Sequence, residues 1–143
     1  MTTTNGTRAL RASAHGRQVL VGSFLNLEVT AQYVKASEAA QLLVICSGTF
    51  EQAAYEDALG AGALCDHLWP QYAAASVADS AHMCRRLYEI ARNDLRSAFA
   101  EAVNGGRLLS RPDLRDDVAF CAQRDVFPVV LEMGKDGLVR TRT

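Results

Sequence analysis

The chain has 143 residues, 49% of them hydrophobic and 22% charged, with a formal net charge of −1. That is the size and composition of one globular domain, too apolar for a disordered chain and without the basic excess a nucleic-acid partner would select. The longest apolar runs, such as Gln41–Cys46, fall far short of a bilayer span, and no charged-then-apolar leader opens the chain, so a cytoplasmic location is expected.

The first residues, Met1-Thr2-Thr3-Thr4-Asn5-Gly6-Thr7-Arg8, read as a polar loop. Its hydroxyls, amide and guanidinium can all hold an anion, and Gly6 lets the backbone turn. Thr7 reads as the N-cap of a helix through Arg8, Ala9, Leu10 and Ala12. The plain alternative is a polar turn that binds nothing. Gln18–Val21, closed by Gly22-Ser23, reads as a short buried strand. Asn26–Lys35 has helical spacing through Leu27, Thr30, Ala31 and Val34. Gln41–Cys46 reads as a second buried strand, ending in Ser47-Gly48-Thr49.

A helix is predicted from Tyr55 to Trp69, with Tyr55, Ala58, Leu59, Gly62, Cys65 and Trp69 on its apolar face and Pro70 as its stop. Gly60 and Gly62 inside it each cost roughly 1 kcal/mol relative to Ala, which close approach of the helix to a sheet would offset. Asp79 caps a helix to about Asn93. Another runs from Asp94 to Val103 and stops at Asn104-Gly105-Gly106. Asp113, after Pro112, caps a short helix through Val118, Phe120 and Cys121. The last segments, Val129–Glu132 and Leu138–Arg140, form a hairpin around Gly134 and Asp136-Gly137.

This order predicts a single α/β domain over residues 1–143, a three-layer α/β/α arrangement on a mixed or parallel sheet, ending in a β-hairpin. Two strands and a hairpin are few for about five helices, so the sheet reads as incomplete on its N-terminal side. The cysteines at 46, 65, 84 and 121 match no zinc or redox spacing, and buried free thiols are expected. The histidines at 15, 67 and 82 lack the spacing of a metal pair.

Four polar segments can carry chemistry: Thr4–Thr7, Gly22–Asn26, Ser47-Gly48-Thr49, and the Glu56-Asp57 pair. In open α/β sheets ligands sit beyond the carboxyl ends of strands, so the first three are expected to converge. Adjacent carboxylates in a first helical turn can hold a hard cation such as Mg²⁺ or move a proton. They also suit the helix dipole with no further role.

The segments Met1–Leu10, Val19–Asn26, Val44–Thr49, Tyr55–Leu64, Asp116–Ala122 and Asp125–Val130 occur in an order and spacing that resembles the 2-phosphosulfolactate phosphatase family. The resemblance covers essentially the whole chain but only the C-terminal part of family members, which carry further acidic and Gly-rich motifs ahead of it. It implies Mg²⁺-dependent hydrolysis of a small, highly anionic phosphomonoester, linked to coenzyme M biosynthesis or, elsewhere, to another phosphorylated small acid. It implies that Thr4, Asn5, Gly6, Thr7 and Arg8 cradle phosphate or sulfonate, with Gly48 and Thr49 assisting, and that Glu56 or Asp57 holds Mg²⁺. Gly60 stands where a Cys is common in the family, and Phe50–Ala54 departs from a Gly-containing loop. The 143 residues alone are expected to turn over little substrate, and to form a homo-oligomer or pair with a separate N-terminal half. The alternative reading is a non-catalytic α/β remnant that acts through such association.

Overall fold

The computed structural model describes residues 4–142; Met1, Thr2 and Thr3 of the expected opening loop lie outside them. The chain runs α1 (Thr4–Ala12), β1 (Leu20–Val21), a 3-10 turn (Phe24–Asn26), α2 (Leu27–Ala36), α3 (Tyr55–Tyr72) and α4 (Asp79–Ala91). It continues through α5 (Leu95–Glu101), α6 (Val103–Leu109), α7 (Arg115–Cys121), β2 (Val130–Met133) and β3 (Val139–Arg142). The fold is α/β, with helices dominating a small sheet.

That sheet is three-stranded and wholly antiparallel, in the order β1-β2-β3, with Leu20 opposite Glu132 and Val130 opposite Arg142. The terminal hairpin therefore forms as expected. The expected mixed or parallel sheet does not: among the described residues no parallel pair exists. The expected strand Gln41–Cys46 does not form: the segment has no regular structure and no ladder partner among the described residues, and is mostly exposed rather than buried.

The core is built on α3, the longest helix. Phe24, Leu27, Leu59, Ala63, Tyr88, Leu95, Phe99 and Val118 form one buried cluster, and Ala31, Val34 and Leu68 a second. Leu64 packs against both. Gly62 explains how α3 and α4 come so close. A Cβ there would lie 2.0 Å from the Cys84 carbonyl oxygen and 2.9 Å from the Tyr88 Cβ. The close approach read from the sequence is real, but it is made to a helix and not to a sheet. Gly60 has no such need, since a Cβ there would meet only Phe24 at 3.8 Å.

Other boundaries shift for local reasons. Pro70 lies inside α3, near its end, where the missing N–H removes only one late bond and the helix continues to Tyr72. Asn104-Gly105-Gly106 lies inside α6, and the break comes at Ala102, whose ψ of 145° is extended. Gly105 serves packing at that corner: a Cβ would sit 1.7 Å from the Phe99 carbonyl oxygen. All four cysteines are free, but Cys46 and Cys121 are exposed and only Cys65 and Cys84 are partly buried.

Buried Asn26 joins both ends of the chain. Its Oδ1 accepts from the Ser23 N–H at 2.8 Å, and its Nδ2 donates to the carbonyls of Val21 and Val129 at 3.3 and 3.1 Å. Asp125, in the left-handed region at φ 54°, accepts from the Glu28 N–H at 2.6 Å and so satisfies the start of α2.

Two glycines on one helix give opposite expectations. Gly62→Ala should destabilise the fold by about 1–3 kcal/mol or more through overpacking against Cys84. Gly60→Ala should stabilise it by up to about 1 kcal/mol through helix propensity. Denaturant unfolding of the two variants checks this; equal effects would show that the α3–α4 contact is loose.

Candidate functional site

A cleft of about 380 Å³ opens at the N-terminal end of α3. Asn5 and Gly6 line it from α1, Ser47 to Phe50 from the loop before α3, Glu56 and Asp57 from the first turn of α3, and Asn104 from α6. The residues come from positions far apart in sequence, and each element delivers them for a local reason.

Asp57 organises the loop. Its Oδ2 accepts from the Gly48 N–H at 2.7 Å and from the Ser47 hydroxyl at 3.1 Å. Gly48 is required there: its φ is +66°, and a Cβ would lie 2.6 Å from the Gln52 carbonyl oxygen. Thr49 and Gln52 exchange two main-chain bonds of 3.0 Å, closing a two-residue turn. The central residues of that turn are Phe50 and Glu51, at φ 48° and 65°. A left-handed conformation at two successive side-chain-bearing residues stores strain of about 1–3 kcal/mol each. Such turns favour Asn-Gly or Gly-Gly.

Asn104 braces the other side. Its Nδ2 donates to both the Thr49 hydroxyl and Glu56 Oε1, each at 2.7 Å. Outside the lining, Arg8 of α1 pairs with Glu51 of the turn at 2.6 Å, which holds the Glu51 carboxyl below the usual carboxylate range.

The sequence-predicted residues divide clearly. Asn5, Gly6, Gly48, Thr49, Glu56 and Asp57 line one cleft. Arg8, engaged with Glu51, and Thr7, within α1, do not line it. Thr4 opens α1. The described helix includes Thr4, so the expected N-cap at Thr7 already lies within it: Asn5 and Gly6 are helical residues and not a loop. The segment Gly22–Asn26 does not converge on the cleft; Asn26 is a buried structural tie. Asn104 was missed. Its only sequence signal, the following Gly-Gly, reads as a helix stop, while its partners stand 55 and 48 residues earlier.

The donor chemistry suits a hard cation. One oxygen of each carboxylate, Glu56 Oε1 and Asp57 Oδ2, is used within the protein. Among the described residues the other oxygen of each makes no hydrogen bond, and no group of three or more His, Cys, Asp or Glu gathers. Two carboxylates completed by water are what Mg²⁺ accepts, because it dehydrates reluctantly. Cys46, beside the cleft, is not a poised nucleophile. Partial burial against α3, then the Asp57 carboxylate, push its thiol up to about 11.

Comparison with known proteins gives one consistent answer. A family model described as 2-phosphosulpholactate phosphatase matches residues 1–136. The chain is 31% identical over 130 residues to a Thermotoga maritima protein named "Probable 2-phosphosulfolactate phosphatase", covering 91% of this chain and 54% of that protein. It is 30% identical over 142 residues to a protein of the same name from Caldanaerobacter subterraneus subsp. tengcongensis, covering 98% and 56%. A Gloeobacter violaceus protein of that name is 32% identical over 125 residues, covering 87% and 50%. The chain spans about half the length of the curated relatives it matches. No described helix is long and apolar enough to cross a membrane.

The raised Cys46 thiol is directly testable. At pH 8 iodoacetamide should modify Cys46 roughly tenfold more slowly than an unperturbed thiol, the smaller thiolate fraction being partly offset by the greater nucleophilicity of a more basic thiolate. The rate should keep rising about tenfold per pH unit until near pH 11. Peptide mapping by mass spectrometry reads this; fast labelling at pH 8 would show that the thiol is not desolvated.

Proposed function

The chain belongs to the 2-phosphosulfolactate phosphatase family, and on that premise we propose that its cleft is part of an active site for Mg²⁺-dependent hydrolysis of a small anionic phosphomonoester. The observation that carries the reading is the convergence on one cleft of the α1 start, the Ser47–Thr49 loop and the Glu56-Asp57 pair. The substrate is 2-phosphosulfolactate or another phosphorylated small acid of similar charge.

Phosphoryl transfer needs neutralisation of the charge spread over the transferring group and alignment of the attacking and leaving oxygens. When bound, Mg²⁺ supplies positive charge to the phosphoryl oxygens. Glu56 and Asp57 would hold it, with water completing its shell. Asn104 keeps Glu56 turned into the cleft, and the Ser47-Gly48 bonds keep Asp57 in place. The N-terminal part of α1 borders the cleft through Asn5 and Gly6, so the Asn5 amide would receive phosphate or sulfonate oxygens there. Thr49 adds a hydroxyl, and Arg8 adds charge when it leaves Glu51.

Mg²⁺ titration with thermal unfolding tests the metal site. At about ten times its dissociation constant, Mg²⁺ should stabilise the chain by roughly 1.4 kcal/mol. The double variant Glu56→Gln, Asp57→Asn should lose that response while keeping its metal-free helical content. An unchanged response in the variant would return the pair to a purely structural role.

A further inference from the structure

A second cavity, of about 320 Å³, opens where the end of α4 meets the start of α5 and the residues after α7. It shares no lining residue with the cleft at α3. Arg92, just past α4, Arg96, in the first turn of α5, and Arg124, beyond the end of α7, all line it. The side-chain amides of Asn93 and Gln123 stand beside them. Among the described residues, the one acid in its lining is Asp94.

The three guanidiniums are poorly compensated. Asp94 gives one carboxylate oxygen to the Ser97 N–H at 3.0 Å and the other to the Ser97 hydroxyl at 2.6 Å. Those two bonds, and last the charge of Arg96, hold its carboxyl below the ordinary range. Arg96 itself makes no hydrogen bond and no ion pair with another described residue. Arg92 reaches Asp66 only at 4.0 Å, and that carboxylate already accepts from Arg85 Nε at 2.9 Å. Arg124 pairs with no carboxylate among the described residues: it donates to the Arg92 carbonyl and lies 5.5 Å from the centre of the Tyr88 ring. Three positive charges thus meet one negative charge in a single cavity, on a chain whose net charge is −1.

A guanidinium is planar, always charged and shaped to hold two oxygens of one anion at once. Arg124 is fixed before any ligand arrives, because the Arg92 carbonyl and the Tyr88 ring hold it in place. We propose that this cavity is a binding site for a small tetrahedral dianion, either free phosphate or the phosphoryl group of a small acid. Arg92, Arg96 and Arg124 supply the charge, and the Asn93 and Gln123 amides supply further donors. A cavity of this volume takes a small molecule, and a chain without basic excess offers no track for a polyanion. The bound anion ties the end of α7 to the corner between α4 and α5. The site is additional to the α3 cleft and independent of the phosphatase reading, and its test reads no turnover.

The test titrates inorganic phosphate into the ¹⁵N-labelled full chain, in EDTA, with sodium chloride holding the ionic strength constant. Amide signals of Arg92–Ser97 and Ala122–Arg124 should shift saturably, with a dissociation constant in the millimolar range. Gly48 and Thr49 report the α3 cleft separately in the same spectra. Arg96→Gln, at an exposed residue with no partner to lose, should weaken binding at the second cavity roughly five- to tenfold while leaving the signals of α3 and the shifts of Gly48 and Thr49 as they were. A parallel titration with phosphoglycolate separates the two sources: tighter binding than phosphate assigns a phosphoryl group carried on a small acid, and equal or weaker binding assigns free phosphate. Shifts that never saturate would overturn the proposal. So would the same shifts from sodium chloride alone, which assigns them to screening, or an Arg96→Gln variant that binds phosphate there as well as the parent does.

Discussion

The contact of Gly62 with the Cys84 carbonyl sets the geometry on which the rest depends. With no side chain at that point, α3 lies directly on the backbone of α4, and its remaining faces are free to take α2 on one side and α5 on the other. Leu59, Ala63 and Leu68 are then wholly or almost wholly buried. A helix gripped along its length has a fixed axis, and a fixed axis aims its first turn. Glu56 and Asp57 are placed by packing that occurs one to three turns further along the same helix.

The cleft is consequently firm on one side and assembled on the others. Each carboxylate gives one oxygen to the protein, and among the described residues the other makes no hydrogen bond. The arrangement also accounts for the tolerated strain at Phe50 and Glu51. The turn is closed by its own two main-chain bonds, and Asp57 and Asn104 hold the residues on either side of it. Removing a brace would let the turn relax toward commoner dihedral angles.

Much of the fold was legible because local signals were strong. The spacing of Leu27, Thr30, Ala31 and Val34 gave α2 to within a residue, and Asp94 caps α5 by accepting from the Ser97 N–H at 3.0 Å. The hairpin around Asp136-Gly137 followed from turn chemistry. Six of the nine proposed site residues line one cleft, because polar turns and first-turn acids mark element ends, and ends meet at clefts. The failures are cases in which the deciding partner is remote. Gln41–Cys46 has every local property of a strand, but a ladder needs a neighbour. Asn104-Gly105-Gly106 has the composition of a stop, yet Gly105 exists to let α6 pass the Phe99 carbonyl. Asn104 itself is defined only by what it touches.

No described side chain of α1 belongs to the buried core; what ties α1 to the loop before α3 is the ion pair between Arg8 and Glu51, 61% and 75% exposed. Solvent-exposed pairs are screened once the Debye length shrinks from about 10 Å in 0.1 M salt to about 3 Å in 1 M. The opposite walls are hydrogen-bonded through Asp57 and Asn104 and feel far less of this. The tie between α1 and that loop therefore weakens as ionic strength rises, while the hydrogen bonds of Asp57 and Asn104 persist.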